Sequence, residues 1–168
     1  MNRREFIGTA ASLAAFGSSV SLSAERLESK KHESAFDVIF SVQRHFFPKG
    51  LATMPDADTF NAARYTEEAI EHKSFDPDIR AILFEGAKRL QGMAGESISK
   101  LTYKERERLL RKFEEDSFGS YWLSQVMNLT LEALLSDPIY GGNADESGWR
   151  SFGLKPGFPR PKKRYCGV

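Results

Sequence analysis

Apolar residues recur every three or four positions through residues 34–135, and each run is bounded by a capping residue, a proline or a glycine. This spacing places the apolar side chains of each run on one side of an α-helix. Few segments show the alternating pattern of a half-buried strand, so little or no sheet is expected. The sequence therefore predicts an all-α protein with a single bundle of about five helices.

Local start and stop signals predict where these helices lie. Asp76 followed by Pro77 is the pattern of an N-cap with proline at the first helical position. Thr102 and Glu105 have the spacing of a capping box. Asp56 is predicted to cap the second helix. The predicted helices span about residues 34–47, 56–73, 77–95, 103–113 and 118–135.

The N-terminus has the features of an export signal. Arg3 and Arg4 are followed by Phe6, and residues 7–24 carry no charge and are rich in Ala, Ser and Gly. Adjacent arginines before a mild apolar stretch are typical of a twin-arginine-type signal peptide, here residues 1–24. This signal predicts export through the twin-arginine translocase to the periplasm. Whether the segment is cleaved or stays as a weak membrane tether is left open.

Three segments follow the signal. Residues 25–33 are charged and polar and are interpreted as a spacer, and residues 34–136 carry the helical bundle. Residues 137–168 mix Gly, Pro and aromatic residues in a way that favours neither a helix nor a core strand. An irregular segment of this length is unusual in a compact domain and tends to be functional. We therefore expect a long irregular C-terminal arm that binds a partner.

The chain lacks the sequence signatures of a cofactor. It has no Gly-x-Gly-x-x-Gly motif for a flavin or nicotinamide, no Cys-x-x-Cys-His motif for haem c, and a single cysteine, Cys166. His32, His45 and His72 are not spaced as metal ligands. The net charge of +1 shows no basic bias, so no nucleic-acid partner is expected. The sequence thus predicts no catalytic, cofactor-binding or metal-binding residue in this chain.

The densest turn signal lies directly after the last predicted helix. An aspartate and a proline there favour a tight turn, and paired glycines allow positive φ. A second flexible position and a large aromatic side chain follow. The candidate partner-binding residues are Asp137, Pro138, Tyr140, Gly141, Gly142, Asn143, Gly148 and Trp149. The alternative is that these residues cap the bundle's own core without touching a partner.

This ordered set, continued by Gly153 and Pro156-Gly157, resembles the gluconate 2-dehydrogenase subunit 3 family. The resemblance implies a small, non-catalytic subunit of an oxidoreductase complex that acts on a sugar or polyol. It implies a flavoprotein large subunit carrying FAD as the partner, often with a multihaem cytochrome c that holds haem c as a third subunit. The small subunit is then expected to act as a chaperone that escorts the large subunit through export and stabilises it.

Two other functions fit parts of the sequence. A free-standing exported, hydrolase-like enzyme would use acidic clusters such as Glu67-Glu68 or residues 114–116, although such runs usually lie on solvated helix faces. A membrane-tethered binding protein would rely on an uncleaved N-terminus and the basic tail Lys162-Lys163-Arg164. Activity of the purified chain alone would favour the first, and salt-sensitive liposome binding would favour the second.

Overall fold

The computed structural model describes residues 33–164, and these residues contain six α-helices and no strand. In chain order the helices are α1 (Ala35–Phe46), α2 (Ala62–Glu71), α3 (Pro77–Ala94), α4 (Tyr103–Glu114), α5 (Ser117–Leu135) and α6 (Ser147–Ser151). The predicted all-α class is confirmed. None of the described helices is long and apolar enough to cross a membrane.

Some predictions fall on parts of the chain outside the described residues. They concern the export-signal residues Arg3, Arg4 and Phe6, residues 25–32 of the spacer, and Cys166. These assignments stay predictions.

Side-chain caps set the starts of α3 and α4. Asp76 accepts hydrogen bonds from two backbone N–H groups of the first turn of α3, where Pro77 occupies the first helical position. Thr102 and Glu105 form a reciprocal capping box at the start of α4. Each cap satisfies N–H groups that have no partner inside the helix. Both predicted caps are confirmed.

The second helix begins later than predicted. Asp56 accepts backbone hydrogen bonds, but from Asp58 (3.1 Å) and Thr59 (3.2 Å) within a single turn. Asn61 then adopts a left-handed φ of 57°, which interrupts helical geometry, and α2 starts at Ala62. The prediction that Asp56 caps α2 was wrong, because a capped turn and a capped helix share the same local signal.

Helix α5 lies at the centre of the bundle and packs against α1, α2, α3 and α4. Trp122 on α5 is fully buried, and its indole N–H donates to Leu83 O on α3 (2.8 Å). Gly86 makes this close approach possible, because a Cβ there would lie 2.0 Å from Trp122 Cδ1. The main core comprises Val38, Ile39, Val42, Ile70, Leu83, Ala87, Leu90, Ile98, Leu110, Phe113, Trp122, Val126 and Leu129.

The segment after α5 is more regular than the predicted irregular arm. It forms two 3₁₀ turns, Pro138–Tyr140 and Ala144–Glu146, and then helix α6. The long irregular arm is therefore corrected: its described part contains two turns and a short helix up to Ser151, and residues 152–164 are its longest stretch without helix or strand. Short turns separated by Gly and left-handed residues carry no 3.6-residue periodicity, so the sequence pattern does not reveal them.

The described part of the chain begins at Glu33, whose carboxylate fastens it to the loop between α3 and α4. The carboxylate accepts hydrogen bonds from the backbone N–H groups of Ile98 (2.8 Å) and Ser99 (3.2 Å), and from the Ser97 hydroxyl. Partial burial of the carboxylate opposes its ionisation. The hydrogen bonds from Ser97, Ser99 and Ile98 together outweigh that effect and hold the pKa of Glu33 below its usual value.

Candidate functional site at the C-terminal end of the bundle

The predicted candidate residues gather at the C-terminal end of α5, in a structure that we call the C-terminal cap (residues 136–149). The last turn of a helix leaves carbonyl groups without partners inside the helix. Asn143 N donates to Ala133 O (2.6 Å), and Asn143 Nδ2 donates to Ser136 O (2.9 Å). Asn143 Oδ1 accepts from Gly148 N (2.9 Å), and the residue is fully buried. One asparagine therefore ties the cap to the end of α5.

Two glycines allow the cap to lie directly on the helix backbone. A Cβ at Gly142 would lie 2.4 Å from Ala133 O, and a Cβ at Gly148 would lie 1.9 Å from Leu134 O. Both contacts are with backbone atoms, which cannot move aside as a flexible side chain can. Glycine is therefore required at both positions by close approach.

The first turn of the cap is built around an aspartate–proline pair. Asp137 Oδ1 accepts from Ile139 N (3.0 Å), and Tyr140 N donates to Asp137 O (2.9 Å). Pro138 occupies the first position of this 3₁₀ turn, and Gly141 ends it with a φ of 98°. The turn signal read from the sequence is confirmed here, and Tyr140 is half-buried in it.

Trp149 closes the cap from α6. Its indole Nε1 donates to Leu135 O (2.7 Å), another carbonyl of the last turn of α5. The Trp149 carbonyl accepts from Leu154 N (2.8 Å), which fastens the following segment. The ring is half-buried, and the Arg160 guanidinium lies 5.2 Å from its centroid. The indole N–H and the carbonyl group of Trp149 are therefore already used within the chain.

Arg160 clamps the cap by binding two of its carboxylates. Arg160 Nε and Nη2 donate to Asp137 Oδ2 (2.9 Å) and Oδ1 (3.1 Å), and Nη1 donates to Glu146 Oε1 (2.7 Å). The hydrogen bond from Arg160 holds the pKa of Asp137 below its usual value. The same carboxylates, Asp137 first, raise the pKa of Arg160. This charge-assisted, bidentate geometry fixes residue 160 relative to the end of α5.

Three residues of the cap adopt strained backbone conformations. Asn143, Asp145 and Glu146 have φ values of 44°, 52° and 58°, a region that residues other than glycine rarely enter. Such strain persists only where surrounding contacts hold it. The hydrogen bonds of Asn143 and the ion pair of Glu146 supply those contacts.

All eight predicted candidate residues therefore lie together, but sequence reasoning missed two that join them. Arg160 and Glu146 complete the clamp, and neither carries a recognisable motif. Arg160 is separated from Asp137 by 23 positions, so no local periodicity connects them. The only available signal was an isolated arginine in a Pro-rich run that follows an acidic turn.

An exposed surface adjoins the cap, which we call the C-terminal strip: Phe152, Leu154 and Phe158 with Arg150, Lys155, Lys162 and Lys163. All seven side chains are exposed to solvent. The three apolar ones are among the most exposed large apolar side chains of the described residues. Large exposed apolar groups beside charged residues are typical of interaction surfaces.

A separate cleft of about 570 Å³ lies between α1, α4 and α5. At its edge the buried His45 has Nε2 at 2.7 Å from Glu107 Oε2 and its ring stacked on Tyr103, 4.3 Å between centroids. Hydrogen bonds from His45 and then Arg111 lower the pKa of Glu107, so this carboxylate is ionised and already bound. Within residues 33–164, no group of three or more His, Cys, Asp or Glu side chains is arranged to hold a metal.

Comparisons with known proteins identify the family of the chain. Comparisons with curated proteins and with solved structures returned no match. The family model described as gluconate 2-dehydrogenase subunit 3 matches residues 33–157, which span the helical bundle and the whole cap. Its description names a subunit of a dehydrogenase complex. Because the match covers most of the chain, this protein belongs to the gluconate 2-dehydrogenase subunit 3 family.

Proposed function

We propose that this chain is a non-catalytic small subunit of an exported, FAD-dependent sugar or polyol dehydrogenase complex of the gluconate type. It binds the flavoprotein large subunit, escorts it through twin-arginine export and stabilises it. The observation that carries the proposal is the family match over residues 33–157, because the family is that of an auxiliary subunit of gluconate 2-dehydrogenase.

The chemistry of the cap fits a structural role better than a catalytic one. The side chains of Asn143 and Trp149 form hydrogen bonds with carbonyl groups at the end of α5. The carboxylate of Asp137 accepts hydrogen bonds from Arg160. A general acid or base needs a proton-transferring group with its pKa shifted toward neutrality. The pKa of Asp137 is shifted away from neutrality, which fits a structural clamp.

The proposed complex has its cofactors in other subunits. FAD belongs to the large flavoprotein subunit, and haem c belongs to a multihaem cytochrome c as the third subunit. The export route rests on Arg3, Arg4 and Phe6, which form a twin-arginine-type signal in the sequence. We propose the periplasm as the location of the assembled complex.

Co-expression with a tagged FAD-dependent large subunit from the same genome tests this function. With the native chain, flavin-loaded large subunit is expected in the periplasm, with the small subunit co-purifying. The double variant Arg3→Lys/Arg4→Lys is expected to leave both subunits in the cytoplasm, because the twin-arginine translocase reads the arginine pair. The variant Glu5→Gln serves as control, since it changes a neighbouring charge and keeps both arginines.

Two results would contradict the proposal. One is an equal periplasmic yield of the large subunit when this chain is deleted. The other is turnover of a sugar or lipid by the purified chain alone, which would favour a free-standing enzyme.

A further inference from the structure

We propose that the C-terminal strip is the surface that contacts the catalytic flavoprotein subunit, and that it fits an acidic face with apolar pockets. The inference rests on the proposed function, since it assumes that such a subunit is the partner. It also separates two roles: strip residues touch the partner, whereas cap residues such as Asn143 and Asp137 position the strip.

All charged residues of the C-terminal strip are basic. Residues 147–164 contain no Asp or Glu, although the whole chain has nearly equal numbers of acidic and basic residues. Arg160 pairs with Asp137 and Glu146, and Arg164 contacts Glu68. The remaining basic residues form no ion pair with carboxylates in the described part of the chain: Arg150, Lys155, Lys162 and Lys163. An acidic partner surface would neutralise them.

The apolar side chains of the strip are largely exposed to solvent. Phe152, Leu154 and Phe158 are 51%, 52% and 87% exposed. Each aromatic ring offers about 150–250 Å² to be buried in a pocket. Interfaces typically place such anchors at their centre, with charged residues around the rim. The strip has this composition.

The strip is attached to the cap at two points. Leu154 N is bound to Trp149 O (2.8 Å), and Arg160 is bound to Asp137 and Glu146. Residues 155–159 therefore lie between two residues that are bound to the cap. A segment that is already positioned loses less conformational freedom on binding than a free tail does. The cap thereby contributes to affinity without touching the partner.

An anionic membrane is the other acidic surface that the strip could bind. The strip lacks the structural element that proteins usually place on a membrane. Proteins that lie on a bilayer typically use an amphipathic helix with one continuous apolar face. Residues 152–164 form no helix, and their apolar side chains are separated by Gly and Pro. A pocketed protein surface suits separate anchors better than a fluid bilayer does.

The test measures dissociation of the purified complex, with the large subunit captured by a tag on a biosensor. The apolar variant Phe152→Ala/Leu154→Ala/Phe158→Ala is expected to raise the dissociation rate by about 30-fold or more. The matched control Leu51→Ala/Met93→Ala removes exposed apolar side chains elsewhere and is expected to change the rate by less than about twofold.

The charge variant Lys155→Glu/Lys162→Glu/Lys163→Glu tests the acidic face. It is expected to weaken binding most at about 50 mM NaCl and less at about 300 mM, because salt screens exposed charges. The control Lys88→Glu/Lys100→Glu/Lys104→Glu carries the same charge change on exposed positions outside the strip and is expected to bind like the native chain. Unchanged circular dichroism and melting temperature show that the variants are folded.

The outcomes separate this inference from the proposed function. If the native chain forms no complex with the large subunit, the proposed function is wrong. If the native complex forms and both strip variants dissociate at the native rate, the strip is not the interface. If the strip variants keep the complex but lose binding to vesicles of phosphatidylglycerol and phosphatidylethanolamine, the strip is a lipid-binding surface and the inference is overturned.

Discussion

The main core and the C-terminal cap are stabilised in different ways. The core consists almost wholly of buried apolar side chains, so its stability is spread over many contacts, each individually weak. The cap depends on a few directed hydrogen bonds, one bidentate ion pair and glycines at fixed positions. Substitutions in the core should therefore act in proportion to the volume removed. Those in the cap should act in proportion to the hydrogen bonds lost.

The largest effect is expected in the core, from Trp122→Ala. The substitution removes a fully buried indole, its contact with Phe113 and its hydrogen bond to Leu83 O. The free energy of unfolding should fall by about 3–5 kcal/mol in urea titrations followed by circular dichroism. Tyr121→Ala, at the exposed neighbouring position, should change it by less than about 0.5 kcal/mol. Similar losses for the two variants would mean that Trp122 does not organise the core.

A smaller but still large effect is expected in the cap, from Asn143→Ala. The change removes two buried side-chain hydrogen bonds and leaves alanine in a left-handed conformation, at a cost of about 2–4 kcal/mol. Asn61→Ala is the matched control, because Asn61 has a similar φ but makes no capping hydrogen bond. Its cost should be about 1–2 kcal/mol, from the backbone alone. Equal costs in the same urea titrations would show that the cap is not held by its hydrogen bonds.

The smallest effect depends on pH and is expected only in the cap. The lowered pKa of Asp137 means that its carboxylate stabilises the fold above its unfolded pKa of about 3.9, and that this contribution is lost as the pH falls through the folded value. The melting temperature of Asp137→Asn should therefore lie below that of the native chain at neutral pH, and the gap should close in acid. Asp145→Asn is the control, because Asp145 is an exposed carboxylate of the same cap that does not bind Arg160, and this variant should show no such gap. A gap that stays constant down to strongly acid pH would exclude the Arg160 clamp as its cause.

The bundle could be predicted from the sequence because its signals are local. Asp76-Pro77 and the Thr102–Glu105 box act within one helical turn, and both were correctly located. The predicted start of α2 was wrong because the position of the first helical residue depends on Asn61, whose left-handed conformation has no strong sequence signature. Local signals therefore predict that a turn begins, but not whether it continues as a helix.

The cap could be predicted only as a cluster of turn residues. The glycine and asparagine positions were recognised, yet their partners are carbonyl groups at the end of α5, which no residue type reveals. The clamp between Arg160 and Asp137 joins residues far apart in sequence. The arrangement of the cap therefore depends on tertiary geometry, which a single sequence does not show.

The anchoring of Glu33 has a mechanical consequence. Its carboxylate binds the loop that joins α3 to α4, immediately ahead of α1. A force that pulls on the chain from its N-terminal side would load these hydrogen bonds before it could unwind the first turn of α1. The force would thus enter the bundle through the loop between α3 and α4, and the first turn of α1 would bear it directly only after these hydrogen bonds broke.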